Sequence, residues 1–116
     1  MQLQLYAKKI WLYQQPVDFR RAIDGLSYIV IDSMKLSPKK DIFLFLNRKR
    51  DKLKCLSWHK NGFVMIYKRL EKGLFNVDPS KKAVIELNVD EMSWLFAGLE
   101  WAKMRDWHEL DYHQFS

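Results

Sequence analysis

Apolar residues fall along this chain in two rhythms. Ile42-Phe43-Leu44-Phe45-Leu46 is continuously apolar, Leu53 to Trp58 and Phe63 to Tyr67 follow at short intervals, and Lys9 to Tyr13 carries Ile10, Trp11, Leu12 and Tyr13. Short runs of aromatic and branched residues bounded by polar turns predict strands. The run at Ile42 suits a strand covered on both faces. The alternation Lys52-Leu53-Lys54-Cys55 predicts a strand with one wet face. Asn47 to Lys52 and His59 to Gly62 are short enough for hairpin turns, and Asn61-Gly62 supplies residues that tolerate positive φ. These three runs therefore read as an antiparallel meander. Leu74 to Val77 and Ala83 to Leu87, on either side of Asp78-Pro79-Ser80-Lys81-Lys82, read as a further hairpin.

The second rhythm is helical. Phe19, Ala22, Ile23, Leu26, Ile29, Val30 and Met34 recur at three- and four-residue steps, which predicts a helix with Asp18 as its cap. Gly25 inside it costs about 1 kcal/mol relative to Ala, so another backbone is expected to approach there. Pro16 ends the first strand, and Ser37-Pro38-Lys39-Lys40-Asp41 is a polar connection. Asn88-Val89-Asp90-Glu91 has the form of a capping box ahead of a stripe at Val89, Met92, Leu95, Phe96 and Leu99. The expected fold class is α+β: a mainly antiparallel sheet, built round the meander, packed with two helices in a single domain over residues 1–103. Residues 104–116 read as an acidic aromatic C-terminal tail.

Composition narrows this picture. At 116 residues with 48% hydrophobic content, the chain can bury one core but not two. No apolar run approaches the roughly 20 residues of a membrane span, and Met1-Gln2-Leu3-Gln4 does not open a leader, so a cytoplasmic protein is expected. Cys55 has no second cysteine to pair with and is expected to be a small buried hydrophobe.

Charge changes the picture more. Arg48 to Lys72 holds nine Lys or Arg against two acids, a local +7 that exceeds the +6 of the whole chain. Glu86 to Ser116 holds seven acids against Lys103 and Arg105. A basic middle and an acidic end predict two partners, or one end masking the other. Arg48, Lys49, Arg50, Lys52 and Lys54 flank one turn, and Lys68, Arg69 and Lys72 follow the next strand. Such cations neutralise phosphates, and Trp58 and Tyr67 beside them can stack on unpaired bases. The same charges also suit an ordinary solvated face. Trp11, Phe19, Phe43, Phe45, Phe63 and Phe96 fall on apolar faces and are expected in the core. Near the end, Trp101, Trp107, Glu109, Asp111 and Tyr112 combine aromatics with acids, a composition suited to a protein partner.

Catalytic patterns are absent from the sequence. Asp18, Asp24, Asp32, Asp51 and Glu71 are read as a cap and as surface and turn residues rather than as a metal-gathering carboxylate set. His59, His108 and His113 lack ligand spacing, and no Gly-rich phosphate loop is present. A non-enzyme that needs no cofactor and no metal is expected.

A resemblance joins these segments. Asp18-Phe19-Arg20-Arg21-Ala22-Ile23-Asp24-Gly25-Leu26, the Phe45, Arg48, Asp51, Lys54 series, Trp58, Asn61-Gly62-Phe63, Lys68-Arg69-Leu70-Glu71-Lys72-Gly73-Leu74-Phe75 and Leu95-Phe96-Ala97-Gly98-Leu99-Glu100-Trp101 are similar to motifs of one family. That family is the TnpB-type accessory proteins of the bacterial insertion-sequence family numbered sixty-six, and the likeness runs from about Ile10 to Trp101. Three positions depart from the family pattern: Ala22 stands where Gly or another small residue is usual, Arg50 where Gly is usual in the turn, and His59 where Asp commonly follows Trp. The resemblance implies a non-catalytic accessory factor in transposition that works with the transposase and a further small accessory protein. The residues add a DNA-binding surface at Arg20, Arg21, Arg48, Lys49, Arg50, Lys52, Lys54, Trp58, Lys68, Arg69 and Lys72, with element ends as the expected DNA. A stand-alone nucleic-acid-binding regulator and an unrecognised nuclease-like enzyme remain the alternatives.

Overall fold

The computed structural model describes residues 8–78, 80 and 82–98. In chain order its elements are β1 (Ile10–Tyr13), α1 (Ile23–Asp32), β2 (Ile42–Leu46), β3 (Lys52–His59), β4 (Gly62–Arg69), β5 (Val84–Leu87) and α2 (Val89–Phe96). The strands form one sheet in the order β4-β3-β2-β1-β5. Among the described strands only the β1–β2 pair is parallel, with Ile10 opposite Ile42 and Tyr13 opposite Phe45; the other pairs are antiparallel. The expected meander is thus β2-β3-β4. The parallel pair arises because α1 carries the chain back along the sheet between β1 and β2.

Strand alternation builds two cores. Ile10, Leu12, Ile42, Leu44, Leu46, Leu53 and Cys55 point to one face and meet Phe75 and Leu95. Phe43, Phe45 and Leu56 point to the other and meet Leu26, Ile29, Val30 and Met34 of α1 and its following turn. With both faces covered, all five residues of β2 are buried, as its unbroken apolar run requires. Phe43 and Phe45 are fully buried, while Trp11, Phe19, Phe63 and Phe96 are partly buried at the margins of the two cores.

Several sequence expectations change at this level. The helix predicted from Asp18 starts at Ile23, with Ala22 as a cap that makes no side-chain bond. Asp18 instead closes a local turn, its Oδ1 accepting from the Arg20 amide at 2.9 Å and its carbonyl from the Arg21 amide at 3.0 Å. Crowding at Gly25 comes from no other backbone: a Cβ there would lie 3.0 Å from the Cβ of Arg21, one turn earlier. Leu74 to Val77 is not a strand, and β5 pairs with β1 rather than with it. The backbone at Phe75 is used elsewhere, donating to the Arg50 carbonyl at 2.7 Å. In the β3–β4 hairpin it is Lys60, not Asn61 or Gly62, that takes positive φ. The capping box of α2 forms as read: Asn88 Oδ1 accepts from the Glu91 amide at 2.8 Å, and the Glu91 carboxylate accepts from the Asn88 amide at 2.9 Å. Of the stripe on α2, Leu95 is buried, Met92 and Phe96 are partly buried, Val89 is exposed, and Leu99 lies outside the described residues.

Candidate nucleic-acid interface

Strand register decides which basic residues meet. Lys52 pairs with Arg69, Leu53 with Lys68 and Lys54 with Tyr67. The β2–β3 turn and the end of β4 therefore share one end of the sheet. The carboxyl end of β1 is there too, because β1 runs parallel to β2, and the Val17 amide donates to the Leu46 carbonyl at 3.0 Å. Three segments far apart in sequence, around Arg20, Arg48 and Arg69, converge there.

The β2–β3 turn is braced from inside and outside. Asn47 Nδ2 donates to Asp51 Oδ1 at 2.7 Å, and Asn47 Oδ1 accepts from the Lys52 amide at 3.0 Å. The Asp51 and Arg50 carbonyls accept from the amides of Leu70 and Phe75. The Asn47 hydrogen bond, helped by nearby Lys49 and Lys52, holds the Asp51 carboxyl below its usual range. Arg50 sits at φ 63, the left-handed region that costs a side chain about 1–2 kcal/mol. Glycine would adopt it freely.

A groove of about 570 Å³ opens between this turn and the segment after β1. Asp18, Phe19, Arg20, Asn47, Arg48, Lys49, Lys52 and Tyr67 line it, together with Val17. Asp18 is clamped by Arg20, whose Nε lies 3.0 Å from Oδ2, and this hydrogen bonding lowers its carboxyl to about 2. Among the described residues, Arg48, Lys49, Arg50, Lys52 and Lys72 form no ion pair. Arg69 is paired with Glu71 at 3.0 Å, both largely exposed, and Arg21 reaches the Gly25 carbonyl at 3.4 Å.

Three residues of the expected surface are placed otherwise. Lys54 is 5% exposed, so β3 has no wet face at that point. Its ammonium donates to the carbonyls of Phe19 at 2.9 Å and Arg21 at 2.7 Å, and lies 4.8 Å from the centre of the Phe19 ring. Desolvation lowers its pKa. Lys54 is therefore the post on which the Asp18–Arg21 turn hangs, and taking those two carbonyls is what delays the start of α1. Lys68 donates to the Phe96 carbonyl at the end of α2, a position that favours a cation. Trp58 stands at the far end of β3, about 20 Å from Lys52 by strand rise, where it packs edge-on against Phe63 and under Lys39.

Sequence reading missed Phe19 and Asn47 as parts of this site. Asn47 was legible in retrospect as an Asn between an apolar strand and a basic turn, a position that favours side-chain-to-backbone bonds. Trp101, Trp107, Glu109, Asp111 and Tyr112 lie outside the described residues. Cys55 is buried, with its thiol pushed up to about 12 by desolvation. Among the described residues, no group of three or more His, Cys, Asp or Glu could hold a metal ion, and no helix is long and apolar enough to cross a membrane.

Fold and site define a small mixed-sheet α+β protein with cations gathered at one sheet end, several of them without an ion-pair partner among the described residues. The model of IS66 Orf2-like proteins matches residues 8–106, and the chain belongs to that family. It is 36% identical over 98 residues to the uncharacterized protein y4jC of Sinorhizobium fredii (strain NBRC 101917 / NGR234), covering 84% of each chain. A second relative from the same strain, the uncharacterized protein y4hO, is 26% identical over 94 residues, covering 80% of this chain and 82% of the relative. No solved structure matches. Family membership implies an accessory role in transposition.

Proposed function

We propose that this protein assists IS66 transposition without catalysing it, by holding DNA on its basic sheet end while contacting the transposase. The observation that carries the DNA-binding part is the Lys52–Arg69 register together with the Val17–Leu46 bond after β1, which gather cations from three separate segments at one sheet end. There Arg48, Lys49 and Lys52 have no ion-pair partner among the described residues. Phosphates are the ligand that such unpaired, adjacent cations favour, and binding them releases counterions from DNA. Arg20, Arg21, Arg50, Arg69 and Lys72 extend the surface. Lys54 and Lys68 support it from beneath. The acidic aromatic segment containing Trp101, Trp107, Glu109, Asp111 and Tyr112 is the proposed transposase contact.

Transposition of an IS66 element supplied with Arg48→Ala/Lys49→Ala/Lys52→Ala protein tests this reading, together with pull-down of the transposase. Loss of transposition and of DNA binding, with transposase capture retained, is the expected result. Unchanged transposition by a folded triple variant would remove the basic end from the function.

A further inference from the structure

The groove at the basic end holds more than charge. Its lining brings Arg20, Arg48, Lys49 and Lys52 against the single carboxylate of Asp18, which Arg20 already clamps. Tyr67 lines the same groove from the outer strand β4 and is 49% exposed. Its ring is steadied from within the protein by an edge-type contact with Phe19, 6.2 Å between centres, and by the Lys54 ammonium at 5.9 Å. Inside a duplex the bases are stacked on both faces and offer an aromatic ring only groove edges and backbone. An unpaired nucleotide offers a free base face, for which a fixed, half-exposed ring beside phosphate-binding cations is the matching arrangement.

We infer that this groove receives an unpaired nucleotide of DNA, its base against Tyr67 and its flanking phosphates on Arg48, Lys49 and Lys52. The inference rests on the proposed DNA binding and adds to it a preference for strand ends, flaps or melted segments.

Fluorescence anisotropy of the full chain with a blunt duplex, the same duplex bearing a single-stranded overhang, and a free deoxynucleoside monophosphate tests it. The overhang should bind about tenfold more tightly than the blunt duplex, the worth of roughly one stacked base. Tyr67→Ala should abolish that preference, and Tyr67→Phe should keep it, because stacking needs the ring and not the hydroxyl. With 5-iodouracil in the overhang, irradiation of the wild-type complex should crosslink Tyr67, a readout that does not depend on how well the Ala variant folds. Equal affinity for blunt and overhanging DNA overturns the inference, as does a preference that survives Tyr67→Ala or a crosslink placed elsewhere. A monophosphate that binds as tightly as the overhang would make the groove a free-nucleotide site instead. Failure to bind any DNA would overturn the proposed function itself, and is distinguishable from all of these.

Discussion

Both ends of the sheet carry basic side chains, more of them at the end of the β2–β3 turn, but the two ends put them to different use. At the end holding the β3–β4 turn, Lys8 donates to Ser57 Oγ at 3.2 Å and to the Trp58 carbonyl, Lys39 lies 4.5 Å from the centre of the Trp58 ring, and Lys9 lies 5.8 Å from that of Trp11. Asp41 adds a carboxylate there that accepts from the Lys9 amide and from Trp11 Nε1. At the end holding the β2–β3 turn, Arg48, Lys49 and Lys52 line a groove without an ion-pair partner among the described residues. Counting charges along the chain would rank Lys54 with Lys52. Burial separates them: one is a structural post and the other part of an open surface.

The largest stability effect that sharpens this contrast is expected at Lys54. Lys54→Met keeps the aliphatic stem but leaves the Phe19 and Arg21 carbonyls without their donor, and should cost about 2–3 kcal/mol. Urea unfolding measures it. A cost below that of an ordinary surface substitution would mean that Lys54 does not hold the Asp18–Arg21 turn.

Arg50 comes next. Arg50→Gly relieves the left-handed backbone at φ 63 and should stabilise the fold by about 1 kcal/mol while weakening DNA binding. Gain of stability with undiminished binding would confine Arg50 to the turn and take it out of the interface.

At pH 7 the smallest effect is expected between the two ends, at Cys55. Its thiol is raised above its ordinary 9.0 to about 12, so the fold favours the neutral form. That contribution is intact below pH 9 and is lost as pH rises from 9 toward 12. Cys55→Val should be close to neutral at pH 7 and should flatten the alkaline loss of stability. A variant that loses stability in alkali as steeply as the wild type would contradict this.

What the sequence disclosed follows the range of the interactions involved. Apolar periodicity is local, so the meander, α2 and its capping box were legible at Ile42 to Leu46, Leu53 to Trp58, Phe63 to Tyr67 and Asn88, whereas the strand read at Leu74 to Val77 is not formed. The late start of α1 was not, because it depends on Lys54 capturing carbonyls 33 and 35 residues away. Clusters at Arg48 and Arg69 were visible as composition, but whether they met depended on register, and the alternation of Lys52 and Lys54 pointed to a wet face that the Asp18–Arg21 turn covers. Trp58 and Tyr67 both bordered basic runs in sequence; only strand direction tells that they stand at opposite ends of β3 and β4.

Salt dependence of duplex DNA binding, measured for two triple variants, tests the central claim most directly. Arg48→Ala/Lys49→Ala/Lys52→Ala removes the open cations, and Lys39→Ala/Lys40→Ala/Lys60→Ala removes as many from the other end. Each lost phosphate contact lowers the slope of log affinity against log salt by about 0.9, so the first variant should lose up to about 2.7 while the second keeps the wild-type slope. Equal slopes for the two variants, or the greater loss in the second, would contradict the assignment of the DNA surface to the end that carries the groove.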